Sequence, residues 1–129
     1  MPHFTIEYSA NLDEEVDIGG LCQLIHGKML ETGLFEEGAI RVRAIRCDAY
    51  AIADKLPENA FIDMSLRIGV GRGQAEKKGA GETIFEAASA YLSDLLERPH
   101  FALSLEIREI AKDLSWKRNA MHPRLRKQV

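Results

Sequence analysis

The stretch that decides the fold is IDMSLRIGVGRG, residues 62–73. From Ile62 to Ile68 its apolar residues alternate with polar ones, which is the pattern of a strand with one buried face. The alternation stops at the glycine-rich segment 69–73, where the conformational freedom of glycine suits a turn. The stretch therefore predicts a half-buried strand that ends in a tight loop.

A helix and a second strand are predicted to follow this loop. Apolar residues recur with helical spacing on one face, and Pro99 helps to close that segment. The members of this stripe are Ile84, Ala87, Ala88, Tyr91, Leu92 and Leu95. Strand-like alternation then returns, with Leu103, Leu105 and Ile107 separated by polar residues. The second half of the chain therefore reads strand–helix–strand.

The first half of the chain shows the same order. Phe4, Ile6 and Tyr8 alternate with polar residues, and NLDEE at 11–15 offers a capping residue and acids suited to a helix N-terminus. A helical stripe and a helix-ending glycine at Gly33 come next. The stripe consists of Ile18, Leu21, Cys22, Ile25 and Met29, and the strand after it carries Ile40, Val42 and Ala44.

Two such units predict an α+β fold in which two β-α-β repeats form a four-stranded sheet with both helices on one face. We expect a single domain over residues 1–129, with repeats at roughly 2–47 and 60–110, a connection at 48–59 and a C-terminal segment at 111–129. The other sheet face would carry mixed charge, facing water or lining a wet channel in an oligomer. Its predicted members are Thr5, Glu7, Arg41, Arg43, Asp63, Ser65, Arg67, Ser104, Glu106 and Arg108.

The composition limits the class of protein. The chain is 46% hydrophobic and 29% charged, which fits one globular domain with a solvated surface. No apolar run approaches a membrane span, no secretory signal is visible, and a net charge of −3 does not favour a nucleic-acid partner. Cys22 and Cys47 are expected to be buried, reduced thiols of a cytoplasmic protein.

Several residues carry a possible chemistry beside an ordinary structural role. The initiator Met is usually removed when a small residue such as Pro2 follows it. Pro2 therefore either simply starts a strand or supplies a secondary amine as a base. Arg41 and Arg43 are two residues apart on one strand and so point to the same face of the sheet. The alternation therefore does not show which of them would contact a substrate. Arg72 lies in a loop that departs from a dinucleotide motif because Gln74 replaces the third glycine. It is either a turn residue or an anion ligand beside a helix N-terminus.

Over nearly its whole length the chain resembles the tautomerase superfamily, and within it the 5-carboxymethyl-2-hydroxymuconate isomerase family. The resemblance rests on motifs that occur in order along the chain. They are MPHF at 1–4, TGLF at 32–35, GAIRVR at 38–43, LRIGVGR at 66–72, ALSLEI at 102–107 and, more loosely, the segment 116–122.

The resemblance implies a set of catalytic residues. Pro2 would be the catalytic base, with Arg41 and Arg72 as its catalytic partners. Arg43, Phe35 and Gly71 would help to bind substrate. The catalytic residues of the family are divided between the two repeats, since Pro2 and Arg41 come from the first and Gly71-Arg72 from the second. In the second repeat, Ser104 occupies the position that corresponds to the strand arginine. This division implies one active site per chain.

The resemblance also implies a cofactor-free, homotrimeric isomerase. Its substrate would be a dienol tricarboxylate from aromatic-acid breakdown. Two other possibilities remain open, namely a tautomerase of another enol acid such as phenylpyruvate, or a trimeric binding protein that has lost activity. A metal site is not expected, because the four histidines show no ligand spacing. Lys117, Arg118 and Asn119 belong to a solvated tail or reach the pocket of a neighbouring subunit.

Overall fold

The computed structural model describes residues 1–127, so Gln128 and Val129 of the predicted C-terminal segment lie outside it. Within that range the strands are β1 (His3–Ser9), β2 (Arg41–Cys47), β3 (Ala60–Gly69) and β4 (Phe101–Ile110). The α-helices are α1 (Ile18–Glu31), α2 (Gln74–Tyr91), α3 (Ser93–Leu96) and α4 (Met121–Arg126). Single 3-10 turns lie at Ala10–Leu12, Glu37–Ala39 and Lys112–Leu114.

The strands form one sheet in the order β2-β1-β3-β4. Each strand–helix–strand repeat gives a parallel pair, β1 with β2 and β3 with β4, while β1 and β3 pair antiparallel at the centre. The predicted α+β fold with two β-α-β repeats is therefore confirmed. The connection at 48–59 contains no helix or strand, as expected.

The hydrophobic core lies between the sheet and the two long helices. The alternating apolar residues of β1 and β3 are fully buried against one stripe from each helix. The buried members are Phe4, Ile6, Ile62, Met64, Leu66 and Ile68 from the strands, with Leu21, Ile25, Met29, Ile84 and Ala88 from the helices. Burying a side chain of this size contributes about 1.5–3 kcal/mol, so the stripes hold the helices on this face.

Polar side chains cover the other face of the sheet, as predicted. Strand register places His3 opposite both Arg41 and Arg67, and Arg67 opposite Arg108. A row of basic side chains thus crosses the sheet at the end where β1 begins. The mixed charge of this face is confirmed, but alternation alone did not predict that basic residues gather in one row.

The start of α1 differs from the prediction. The helix begins at Ile18, and Asp17 caps it by accepting a hydrogen bond from the Gly20 N–H at 3.0 Å. Asn11 instead donates to the carbonyl oxygen of Asn59 at 2.7 Å, which ties the end of β1 to the start of β3. Asparagine and aspartate stabilise turns as well as helix N-termini. Here Asn11, the predicted cap, stabilises the connection instead of the helix.

The prediction that both cysteines are buried is wrong. Cys22 and Cys47 are half-buried free thiols, and the partial burial of Cys22 raises its pKa. Cys22 lies at the margin of the α1 stripe, where it packs against the core without entering it. In residues 1–127, no helix has the length and apolar character needed to cross a membrane.

Candidate functional site

Pro2 lies at the start of β1, where the first bond of the parallel ladder fixes its backbone. The Arg41 N–H donates to the carbonyl oxygen of Pro2 at 3.1 Å, and Pro2 itself is buried. This bond joins the beginning of the first strand to the beginning of the second strand. Two of the residues predicted to be catalytic, Pro2 and Arg41, are therefore neighbours.

A cavity of about 1070 Å³ opens beside the amino terminus. The starts of β1 and β2, the ends of β3 and β4 and the start of the C-terminal segment form its walls. The lining residues are Met1, His3, Arg41, Arg67, Gly69, Val70, Gly71, Glu109, Ile110, Ala111, Lys112, Leu114, Ser115, Trp116, Lys117 and Arg118. The cavity thus joins both repeats to the segment after β4.

The cavity is strongly basic although the chain as a whole is acidic. Glu109 is the sole carboxylate in the lining, and it pairs with Lys77 at 3.5 Å. The other titratable side chains of the lining can carry positive charge, namely His3, Arg41, Arg67, Lys112, Lys117 and Arg118. Clefts lined by one sign of charge concentrate ligands of the opposite sign, so this arrangement suits an anionic ligand.

The structure separates the two strand arginines that sequence parity left equivalent. Arg41 is half-buried, lines the cavity and donates to the carbonyl oxygen of Gly38 at 3.0 Å. Arg43 is exposed, does not line the cavity, and lies 3.3 Å from Nδ1 of His3. Of the two, Arg41 is the one placed beside the amino terminus.

Arg72 is more enclosed than a loop position suggests. Its guanidinium donates to the carbonyl oxygen of Leu34 at 2.9 Å and stands 4.9 Å from the ring centre of the buried Phe35. These contacts join the glycine-rich loop to the TGLF segment of the first repeat. Arg72 and Phe35 are thus brought together, but neither is part of the cavity lining.

Gly71 lines the cavity and has a φ of +115°, a backbone conformation that residues other than glycine rarely adopt. The N-terminus of the helix that follows already has a carboxylate beside it, because Glu76 accepts from the Gly73 N–H at 3.0 Å. An anion near this loop would therefore meet the arginine side chain and the loop backbone rather than the end of the helix.

The surroundings of the amino terminus favour a neutral amine. Partial burial lowers the pKa of the Met1 α-amine, and the positive charges of Lys117, Arg72 and Arg41 lower it further. His3 has a lowered pKa as well, from burial first and then from Arg43, Arg67 and Arg41. The cavity thus combines unpaired cations with an amine and an imidazole whose lowered pKa values favour their neutral forms.

Sequence reasoning did not name His3 or Arg67 as site residues, and it placed Lys117 either in a solvated tail or at the pocket of a neighbouring subunit. His3 and Arg67 join the site through strand register, and Lys117 through the fold of the C-terminal segment over the same chain's amino terminus. A second cavity, of about 580 Å³ between α2 and β4, contains none of the predicted site residues. In the range 1–127, no three His, Cys, Asp or Glu side chains are grouped to hold a metal ion.

Comparison with known proteins identifies the relatives of this chain. Residues 2–125 match the family described as 5-carboxymethyl-2-hydroxymuconate isomerase. The 5-carboxymethyl-2-hydroxymuconate Delta-isomerase of Escherichia coli is 37% identical over 122 residues, which are 95% of this chain and 97% of that protein.

Solved structures give the same result. The crystal structure of a 5-carboxymethyl-2-hydroxymuconate isomerase from Deinococcus radiodurans R1 is similar with a TM-score of 0.90 and 36% identity, covering 96% of this chain and 93% of that one. A structure described as a fused 4-OT wild-type symmetric trimer shares the fold, with a TM-score of 0.67 and 13% identity over 90% of this chain and 93% of that one. The resemblance seen in the sequence is confirmed, and the chain belongs to the 5-carboxymethyl-2-hydroxymuconate isomerase family.

Proposed function

We propose that this chain is an isomerase that converts 5-carboxymethyl-2-hydroxymuconate to its conjugated oxo isomer. The observation that carries the proposal is the basic cavity beside Pro2, in a protein whose net charge is −3. The substrate bears three carboxylates, so a cavity with five lysine and arginine side chains and a single, already paired carboxylate matches its charge. Membership of the family and the names of two relatives support the same substrate.

The base in this proposal is the amine of Pro2, exposed when Met1 is removed. Burial and the nearby cations that lower the pKa of the Met1 amine would act on the Pro2 amine too, since Pro2 is buried and bonded to Arg41. An α-amine has a reference pKa of about 8, and a base works best when its pKa is near the working pH. A lowered pKa would leave the Pro2 nitrogen neutral and able to accept a proton.

The reaction moves one proton and shifts two double bonds. The Pro2 nitrogen accepts the proton of the 2-hydroxyl group, and that oxygen forms a double bond to C2. The C2=C3 electrons move to C3=C4, and the former C4=C5 electrons accept the proton at C5 from the Pro2 ammonium. Nothing is oxidised or reduced overall, so the step balances without an added cofactor.

The arginines have electrostatic roles in this scheme. Arg41 has a planar guanidinium suited to two carboxylate oxygens, and it already lines the cavity. Arg72 would bind a second carboxylate of the substrate, after turning from Leu34 towards the ligand. Gly71 would shape the binding surface and Phe35 would support Arg72, whereas Arg43 lies outside the cavity and has no role in this scheme. The two cysteines are free thiols, and reduced thiols are typical of proteins in the cytoplasm, so we propose that the enzyme is cytoplasmic.

We also propose that the active form is a homotrimer. The outer strands β2 and β4 have open edges, and the polar sheet face is uncovered in a single chain. Large apolar side chains at the cavity rim are exposed as well, with Trp116 at 86% and Leu114 at 75%. A symmetric assembly would cover these edges and side chains.

The trimer can be tested by light scattering of the purified protein at micromolar concentration. We expect a mass three times the 14.5 kDa of one chain. Replacement of Trp116 by Glu should shift the population towards smaller species, because a charge would be buried at the contact. A wild-type monomer at this concentration would contradict the trimer.

The substrate is tested by comparing rates on two compounds. We expect kcat/KM for the dienol tricarboxylate to exceed that for the enol of phenylpyruvate, which has one carboxylate, by at least a hundredfold. Each lost carboxylate contact costs about 1.5–3 kcal/mol, or roughly tenfold or more in rate. Equal or faster turnover of the monocarboxylate would favour the alternative tautomerase activity, and no turnover of either would favour a binding protein.

A further inference from the structure

The segment after β4 folds back over the amino terminus of its own chain. Residues 114–118 line the cavity together with Met1 and Arg41. The sequence had left open whether Lys117 reaches a neighbouring subunit or belongs to a solvated tail. Within one chain, Lys117 lines the same cavity as Met1, and of the nearby cations its charge lowers the pKa of the amine most.

Contacts on both sides of residues 36–38 hold this segment in place. Asn119 donates to the carbonyl oxygen of Gly38 at 2.7 Å, and Arg41 donates to the same oxygen at 3.0 Å. Arg126 of α4 donates to the Glu36 carboxylate at 2.7 Å. A Cβ on Gly38 would stand 2.8 Å from the His122 side chain, so a larger residue there would displace His122 from its place against Gly38. Lys117 is therefore two residues from an anchored position.

Three cations near the amino terminus have no carboxylate partner. Arg41 and Arg72 donate to backbone carbonyl oxygens, and across residues 1–127 neither they nor Lys117 form an ion pair. Arg46 and Arg98, by contrast, pair with Asp13 and Glu15. Arg67, Lys112 and Arg118 of the cavity lining also form no ion pair among the described residues. Arg41 and Lys117 line the cavity and Arg72 lies in the loop beside it, so a bound anionic ligand would supply the negative charge that these cations lack.

We propose that Lys117 binds the third carboxylate of the substrate and so determines the preference for tricarboxylates over dicarboxylates. The inference rests on the proposed function, in which Arg41 and Arg72 account for two carboxylates. The third carboxylate of this substrate is on a flexible one-carbon arm. A lysine suits it because its ammonium is a compact charge on a flexible stem, without the fixed geometry of a guanidinium.

A second role for Lys117 is distinguishable from this one. If Lys117 only lowered the pKa of the amine, its loss would change the pH dependence and would affect all substrates to the same degree. If it binds one carboxylate, its loss weakens ligands with three carboxylates and leaves those with two nearly unchanged. The number of carboxylates on the ligand therefore separates the two roles.

The experiment measures binding by calorimetry, using protein that begins at Pro2 as checked by intact mass. The probes are propane-1,2,3-tricarboxylate and pentanedioate, which are inert and differ by one carboxylate. For Lys117→Met we expect about tenfold weaker binding of the tricarboxylate, the low end for a charge-assisted contact because Lys117 is exposed. Binding of pentanedioate should change less than twofold.

The control is Lys78→Met, which removes the same charge from an exposed position on α2 outside this cavity. It should leave both affinities within twofold of wild type. Equal weakening of both probes by Lys117→Met, or no weakening of either, would overturn the role of Lys117.

Failure of this inference and failure of the proposed function give different results. If wild type turns over the dienol tricarboxylate but Lys117→Met binds the tricarboxylate probe normally, the function stands and the inference is wrong. If wild type has no turnover, but Lys117→Met binds the tricarboxylate probe more weakly than wild type and binds pentanedioate normally, then Lys117 determines a binding specificity. In that case the inference stands and the proposed isomerase activity is wrong.

Discussion

Protein that retains Met1 should isomerise the dienol tricarboxylate about a hundredfold to ten-thousandfold more slowly than protein that begins at Pro2, the range that a positioned acid–base group contributes. With Met1 present, the Pro2 nitrogen is an amide without an available lone pair. The Met1 amine cannot simply replace it, because it is attached one residue further along, about 3.8 Å between Cα atoms. Misplacement of a catalytic group by even 1 Å can cost about a hundredfold.

The comparison uses the same untagged chain expressed with and without methionine aminopeptidase activity, and intact mass reports which form is present. Pro2→Ala is the matched control, since it keeps an amine at the same position. It should be impaired yet clearly active, because its primary amine is more mobile than the ring nitrogen of proline. Similar rates for the processed and the Met-retaining protein would remove Pro2 from the mechanism.

The second large effect is expected from Arg41. Arg41→Gln should lower kcat/KM for the tricarboxylate about tenfold to a hundredfold, the value of a charge-assisted carboxylate contact of about 1.5–3 kcal/mol. Glutamine keeps a hydrogen-bond donor for the Gly38 carbonyl but removes the charge. The expected loss is therefore in substrate binding and activity rather than in folding.

Arg43→Gln is the matched control for Arg41→Gln. It removes the same charge two residues along the same strand face, from a side chain that is exposed and turned towards His3. We expect less than a threefold change in kcat/KM, with both variants melting within a few degrees of wild type. A larger loss for Arg43→Gln than for Arg41→Gln would mean that substrate lies further along the sheet than the cavity.

Most of the fold could be predicted because its strands have one buried face. Alternation at Phe4–Tyr8 and Ile62–Ile68 locates the two central strands, and the spacing of Leu21, Ile25 and Met29 locates the buried side of α1. The start of α1 could not be predicted in the same way. Asn11 and Asp17 both look like helix caps, and only the contact of Asn11 with Asn59 decides between them.

The candidate site could be predicted only in part, for a physical reason. Alternation assigns a side chain to a face, but not to a row across the sheet. The meeting of His3 with Arg41 and Arg67 depends on register and on the antiparallel pairing of β1 with β3. The place of Lys117 depends on Asn119 binding Gly38, a contact between residues 81 positions apart that no local pattern reveals.

The central claim is that the Pro2 amine is the base, and titration of its nitrogen tests this most directly. In protein that begins at Pro2 with ¹⁵N-labelled proline, NMR gives the pKa of that nitrogen, to be compared with the pH dependence of kcat/KM. Only the neutral amine accepts the proton, so kcat/KM should rise with pH through this pKa and then level off. Burial and the neighbouring cations favour the neutral form, so the rise should lie below the pKa of proline in a free peptide. Matching values, both lowered, are the predicted result; a Pro2 pKa that is not lowered, or a rate profile that follows a different pKa, would contradict the claim.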